Sequence, residues 1–365
     1  MFPRRFWLPG FATLLLTTIG NGSVFAQGVI PPPDSILYDA KHKEPKSGVE
    51  IHGNEIVIRS GVGTPTTINV LSFSRDGKLL AAGKDFGRVV VWDVTQRSFL
   101  CAIETGQGIV NAVAISPDDQ ILATNGTKGD SGIKLWHLPD GTLLRNLGAE
   151  SSAVLKLIFG PDASSLIVAE NNAVTYVLDT VSGERKLDLS GEWAPTLSMD
   201  GKTLMAVSKT DLILRSMNDW QKQKTLPKLT KYVIPLALDT RLDAYIYGDA
   251  TDGNSFVAVR LSTGEILPNP RTVKLPQFNP STGYFASLDP SSGLVFGHSE
   301  GRLWVWDIKT GRTCTSKILY SESGALSPDG SLLVGAIDNS IMAQDKVKPG
   351  VGIWETSAIR KSCGM

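Results

Sequence analysis

The sequence is poor in the residue types from which most active sites are built. It holds only four histidines, His42, His52, His137 and His298. They fall at no His-x-x-x-His or similar ligand spacing, so the pattern of a metal-dependent hydrolase is missing. It holds three cysteines, Cys101, Cys314 and Cys363. An odd, low count is no disulfide framework, and the spacings fit no zinc site. Some or all of the three are read as free thiols on outer strands. The run Gly297-His298-Ser299-Glu300-Gly301 matches Gly-x-Ser-x-Gly in letters but falls in a hairpin between strand patterns, not at the strand-to-helix elbow that the motif needs. The glycine pairs Gly61/Gly63 and Gly106/Gly108 are followed by no helical pattern, which removes the nucleotide-binding reading. The hairpin from Asp249 to Asn254 lacks the alternating ligand register and distal Glu of a calcium loop. No metal, no cofactor and no catalytic constellation are expected.

Charge of one sign is lacking too. Lys+Arg and Asp+Glu each total 36, so no basic surplus calls for nucleic acid or an anionic membrane. The one apolar run near the start, residues 6–19, is broken by Pro9-Gly10 and is too short for a comfortable membrane span. With Arg4 and Arg5 before it and Val24 and Ala26 after it, residues 1–26 read as a signal peptide cut before Gln27. The Arg-Arg-x-x-Leu start leans toward twin-arginine export. The mature chain is then periplasmic or secreted, without membrane insertion, and monomeric. Residues 27–54 read as a Pro-rich tether, because Pro31-Pro32-Pro33 offers no N–H to a sheet ladder.

What the sequence does have is repetition. A short apolar run leads to a Ser-x-Asp-Gly-like turn, a second run, a polar hairpin and a third run ending near Trp-Asp. The turns start at Ser74, Ser116, Gly160, Ser198, Asp239, Asn279 and Ser327, at separations of 38 to 48 residues. That spacing is the period of a four-stranded propeller blade. The runs are rich in Val, Ile and Leu and bounded by Gly, Asp and Ser, as strands are. The expected fold is all-β: residues 55–365 as a seven-bladed β-propeller of four-stranded antiparallel blades. One early strand, residues 55–59, precedes the first unit, and it is expected to close the ring beside 351–355. The C-terminal segment AIRKSCG is the other candidate for that place. Trp92, Trp136, Trp306 and Trp354 end third strands, and their flat bulk suits the gap between neighbouring blades. Leu178 and Arg215 occupy the same place in units three and four.

The stretches SRDGKLLAAGKDFGRVVVWD (74–93), SPDDQILATNG with SGIKLWH (116–126, 131–137), GHSEGRLWVWDIKTGR (297–312) and SPDGSLLVG with VGIWE (327–335, 351–355) resemble the WD-repeat β-propellers. The leader would make this an exported, bacterial member. The resemblance covers residues 55–363 and is faint in units four and five. It implies a Gly-His pair before each first strand, with the His in a buried hydrogen-bond network. No unit has it: Gly106-Gln107, Gly148-Ala149 and Gly191-Glu192 fill the place.

The resemblance implies a non-catalytic scaffold for a protein or peptide. The alternative is a propeller enzyme, a lactonase-like hydrolase or quinone-linked dehydrogenase, with carboxylates, His or metal ligands converging on the central channel. In a propeller the fourth-to-first and second-to-third connections share one face. Trp193, Tyr232 and Tyr320 begin first strands there, and the hairpins nearby carry Arg88, Lys128 and Arg302. Aromatics and Arg anchor interfaces; the same aromatics also suit packing between blades. The long hairpin from Asp338 to Gly350 is an insertion with Lys346 and Lys348. Intact-mass analysis of the exported protein is expected to give a chain beginning at Gln27; a soluble cytoplasmic pool retaining Met1 would contradict the leader.

Overall fold

The computed structural model describes residues 68–127, 132–148, 154–171, 173–209, 211–227, 233–249, 255–268, 285–299, 302–319, 323–337 and 350–365. It also gives the backbone of three short early strands, Ser35–Leu37, Val49–His52 and Glu55–Ile58. The strands assemble into the expected seven antiparallel blades. Blade one runs through Ile68–Phe73, Leu79–Lys84, Arg88–Asp93 and Ser98–Glu104. The innermost strands of the other blades are Val110–Ile115, Val154–Phe159, Trp193–Leu197, Val233–Asp239, Phe285–Leu288 and Gly324–Leu326. Each innermost strand abuts the next, and the last abuts the first. Blade five has three described strands, its outer edge marked by a bridge between Val259 and Ile266.

The Asp-Gly turns make the first corner of a blade by one recurring mechanism. Ser74 Oγ donates to Asp76 Oδ1 at 2.8 Å and accepts from the amide of Leu79 at 2.9 Å. Ser198 with Asp200 and Ser327 with Asp329 do the same, each at 2.5 Å. Gly77, Gly201 and Gly330 complete these turns with φ of 77°, 71° and 77°, which a glycine adopts without steric cost. Blade two puts Asp119 there, at φ 60°. Burial, and then the nearby Asp76, push its carboxyl up to about 6.

The core lies between blades rather than within them. Seven apolar clusters of described residues each join two neighbours around the ring. Trp92 fills the seam between blades seven and one, and Trp136 that between one and two. Trp306 fills the seam between five and six, and Trp354 that between six and seven. All four are buried, in the wedge position expected of them. In blades one to four the outer pairing shifts register immediately before Trp92, Trp136, Leu178 or Arg215. This bulge aims the wedge residue into the seam.

Three expectations are corrected. The outer strand of blade seven is Ser35–Leu37, paired antiparallel with Gly350–Glu355, not residues 55–59. Glu55–Ile58 pairs instead with Val49–His52 as a separate hairpin. Both Ser35–Leu37 and Val49–His52 lie inside the stretch read as a tether. A three-residue strand among polar neighbours has too weak a pattern to stand out, and pairing with the exposed edge of blade seven forms it. Second, the corner of blade six is Asp289–Gly293, where Gly293 donates to the Asp289 carbonyl, not the turn at Asn279. The chain offers two similar Pro-Ser turns ten residues apart, and the strand at Phe285 selects the second; residues 269–284 lie outside the described ones.

Third, Cys314 and Cys363 form a disulfide, with Cα atoms 5.8 Å apart, while Cys101 is buried and outside any disulfide. The residues after Glu355 form helix α1, Thr356–Cys363, instead of a strand. It folds from blade seven across the seam to blade six, where Cys314 lies on the outer strand. Arg360 pairs there with the buried Asp289 and donates to Ser291 Oγ at 3.0 Å. Thr356 Oγ1 donates to the Gly330 carbonyl at 2.7 Å. Closing a loop of this length restricts the unfolded chain by about 4 kcal/mol. Cys363→Ala is therefore expected to lower stability by about 2–4 kcal/mol in chemical unfolding; an unchanged midpoint would show that α1 is not held by this bond.

Candidate protein-binding face

On the face that gathers the fourth-to-first and second-to-third connections, neighbouring blades are stitched loop to loop. The hairpin Asp85–Gly87 of blade one meets the approach loop of blade two. The Thr105 amide and hydroxyl both donate to the Gly87 carbonyl, at 2.6 and 2.8 Å. A side chain at Gly87 would stand 2.9 Å from the Gly106 and Gln107 amides, so only glycine lets the two loops close. The contact holds Phe86 at φ 61°, with 73% of its surface exposed. A non-glycine residue in left-handed backbone costs on the order of 1 kcal/mol, and exposing an aromatic returns none of it.

Phe86 is not alone. Ile109, on the approach to blade two, and Leu155, at the start of blade three, are also exposed on this face. Trp193, at the start of blade four, is half-buried against the seam between blades four and five. The four form an apolar arc across four successive blades. Sequence reasoning found Trp193 and missed the other three. Phe86 lies in a hairpin that reads as plain turn, and Ile109 and Leu155 read as ordinary strand residues.

The other expected residues divide. Arg88 opens the third strand of blade one and pairs with Glu104 on its fourth, so its charge is engaged locally. Arg302 opens the third strand of blade six; its side chain lies outside the described residues. Tyr232, Tyr320, Lys128 and the hairpin at 338–349 also lie outside them.

In blades two and four the places that the family resemblance assigns to a buried His are filled by other polar groups, Gln107 and Glu192. Thr124 donates to Gln107 Oε1 at 2.6 Å, and Trp136 Nε1 donates to Thr124 Oγ1 at 2.9 Å. Gln107 Nε2 reaches the Gly132 carbonyl at 2.7 Å. Gln107 and Thr124 are fully buried, so the amide links the approach loop, the second strand and the wedge tryptophan of blade two. In blade four both ends of this device are replaced by an ion pair. Arg215 stands in the tryptophan place and Glu192 in the His place. Arg215 Nε donates to Glu192 Oε2 at 2.9 Å, and Nη1 donates to the Trp220 carbonyl at 3.0 Å.

The central channel is a cavity of about 320 Å³ walled by the innermost strands of all seven blades. The enzymatic alternative asks for carboxylates and imidazoles converging here. The described lining presents Lys156 and Arg75 as its charged groups.

Removing one member of a buried ion pair leaves the other uncompensated. Arg215→Met is expected to cost about 3–5 kcal/mol, and Arg215→Met with Glu192→Leu to recover most of it. Urea unfolding of the two variants checks this; equal losses in both would mean that packing, not charge, sets the cost.

Comparison with known proteins agrees with this architecture. Residues 99–137 match the family described as WD domain, G-beta repeat. The chain is 32% identical over 114 residues to transducin beta-like protein 3 of Rattus norvegicus, covering 31% of this chain and 14% of that protein. It is 30% identical over 127 residues to WD repeat-containing protein 90 of Mus musculus, covering 33% of this chain and 7% of that protein. It is 23% identical over 288 residues to cilia- and flagella-associated protein 52 of Homo sapiens, covering 75% of this chain and 38% of that protein. The chain therefore spans only a small part of the first two of these relatives. It is a seven-bladed propeller carrying a WD-repeat match over residues 99–137 and similar to WD-repeat proteins of animals.

Proposed function

We propose that this chain is a non-catalytic exported propeller that binds a protein or peptide over its loop face. The observation that carries the reading is the apolar arc of Phe86, Ile109, Leu155 and Trp193. Exposed aromatic and aliphatic side chains on a rigid support give contact area at low entropic cost. Arg302, which opens the third strand of blade six, is the residue proposed to pair with carboxylates of a partner, whereas Arg88 is already held by Glu104. The similarity to WD-repeat proteins supports a scaffold role, by analogy of fold alone. Export is supported by the leader-like start and by the Cys314–Cys363 disulfide, since such bonds persist in oxidising compartments. In that setting the mature chain begins at Gln27 and works in the periplasm or outside the cell.

The test compares the two faces. Val181, in a turn on the opposite face, is as exposed as Phe86, at 69% against 73%. Partners captured by the exported protein and identified by mass spectrometry should be lost with Phe86→Asp and Leu155→Asp, each weakening binding by about 1–3 kcal/mol. Val181→Asp should leave capture intact, and melting should barely change in any of the three. If Val181→Asp abolishes capture while Phe86→Asp and Leu155→Asp do not, the working surface is the turn face.

A further inference from the structure

Two cations stand in the central channel without a carboxylate. Lys156, on the innermost strand of blade three, lines the channel and is exposed to it. None of the described groups hydrogen-bonds or pairs with it. The surrounding wall lowers its ammonium to about 8, which leaves it cationic at neutral pH. Arg75 leaves the first corner of blade one and crosses the channel floor at the turn face. Its guanidinium comes 3.5 Å from the Phe159 carbonyl at the far end of the same blade-three strand. On the other side, a side chain added at Gly201 of blade four would stand 3.1 Å from Arg75 Nε. The nearest acidic residues of that floor are already engaged: Asp76 with Ser74 and Lys78, and Asp200 with Ser198. Burial lowers the Arg75 guanidinium with no charged partner to offset it.

A part-buried cation without a charged partner, such as Arg75, is costly unless something compensates it, and the unpaired Lys156 faces the same cavity. The two are set against one strand three residues apart. At strand rise that is a separation of roughly 10 Å along the channel. The rest of the wall mixes apolar side chains such as Leu71, Phe73 and Leu157 with hydroxyls, of which Ser72 and Ser287 are engaged by contacts of 3.4 Å and 3.7 Å. A cavity with two separated cations and spare hydroxyls between apolar side chains complements a molecule with an acidic group at each end.

We propose that the central channel binds a small elongated organic dianion, with one acidic group on Lys156 and the other on Arg75. The site is separate from the loop face, and its test does not depend on a protein partner. The full exported chain is titrated calorimetrically with a series of linear dicarboxylates and with inorganic phosphate at matched ionic strength. Saturable binding is expected for the dicarboxylates whose length spans the two cations, and weaker binding for phosphate. Lys156→Met and Arg75→Gln should each weaken it by about tenfold or more, as loss of one charge-assisted hydrogen bond does. Lys156→Met removes an uncompensated charge and should fold at least as well as the parent. An independent readout needs no variant: mild acylation followed by peptide mass spectrometry should modify Lys156, and the bound dicarboxylate should protect it. The proposal is overturned if no dicarboxylate binds, if phosphate binds as well as any of them, or if affinity and protection are unchanged when Lys156 or Arg75 is replaced.

Discussion

Burial across the seams is the interaction on which everything else here depends. A single four-stranded blade is thin, and both of its faces need covering. The seven apolar clusters each belong to two blades, so no blade holds a core of its own. A ring is the arrangement in which every face is covered and no wide sheet face meets water. The seam between blades seven and one therefore has to be closed as firmly as the others, and the cluster around Trp92 closes it. Blade seven itself is completed from both ends of the chain, with Ser35–Leu37 supplying its outer strand and α1 crossing to blade six. The disulfide to Cys314 and the Arg360–Asp289 pair fasten that crossing.

The seams also explain why the repeat tolerates such drift. What a seam requires at the wedge place is volume and a satisfied polar edge. Trp136 meets this with its indole N–H on Thr124, which in turn is held by Gln107. Leu178 meets the volume requirement alone. Arg215 meets it with a side chain nearly as long, provided Glu192 neutralises it. The seam beside Arg215 is the smallest cluster of the seven, with Met217 and Trp220 filling in around the ion pair. A residue pattern that reads as decay in unit four is thus a paired replacement, in which the change at one place compensates the change at the other.

Rigidity of the ring sets where function is placed. The turn face is built from short side chains bonded to their own backbone, as Ser74 is to Asp76, and few groups remain there to meet another molecule. The loop face carries Phe86, Ile109 and Leu155 as exposed apolar side chains, the first held out by the contact of Thr105 on Gly87. The channel between them carries cations. The surface proposed for a partner and the cavity proposed for a small anion are therefore separate parts of one scaffold.

Much of this molecule was legible in the sequence. The blade number, the strand order within each blade, the Asp-Gly corners and the burial of Trp92, Trp136, Trp306 and Trp354 follow from local pattern. Turn chemistry and alternation are properties of a few consecutive residues, and the repeat multiplies the signal. Trp193 was visible for the same reason, as an aromatic at a fixed place in a unit. What the tertiary structure decided involves residues far apart in the chain. Ser35–Leu37 is a strand only because the edge of blade seven receives it, and Cys314 meets Cys363 only because α1 turns back. Glu192 finds Arg215 across a blade. Phe86, Ile109 and Leu155 become one surface, and Lys156 and Arg75 one cavity, only when the ring brings separate blades to a common face or axis. Local sequence carries the energy of turns and strands; which side chains meet across the ring depends on closure, which no single stretch encodes.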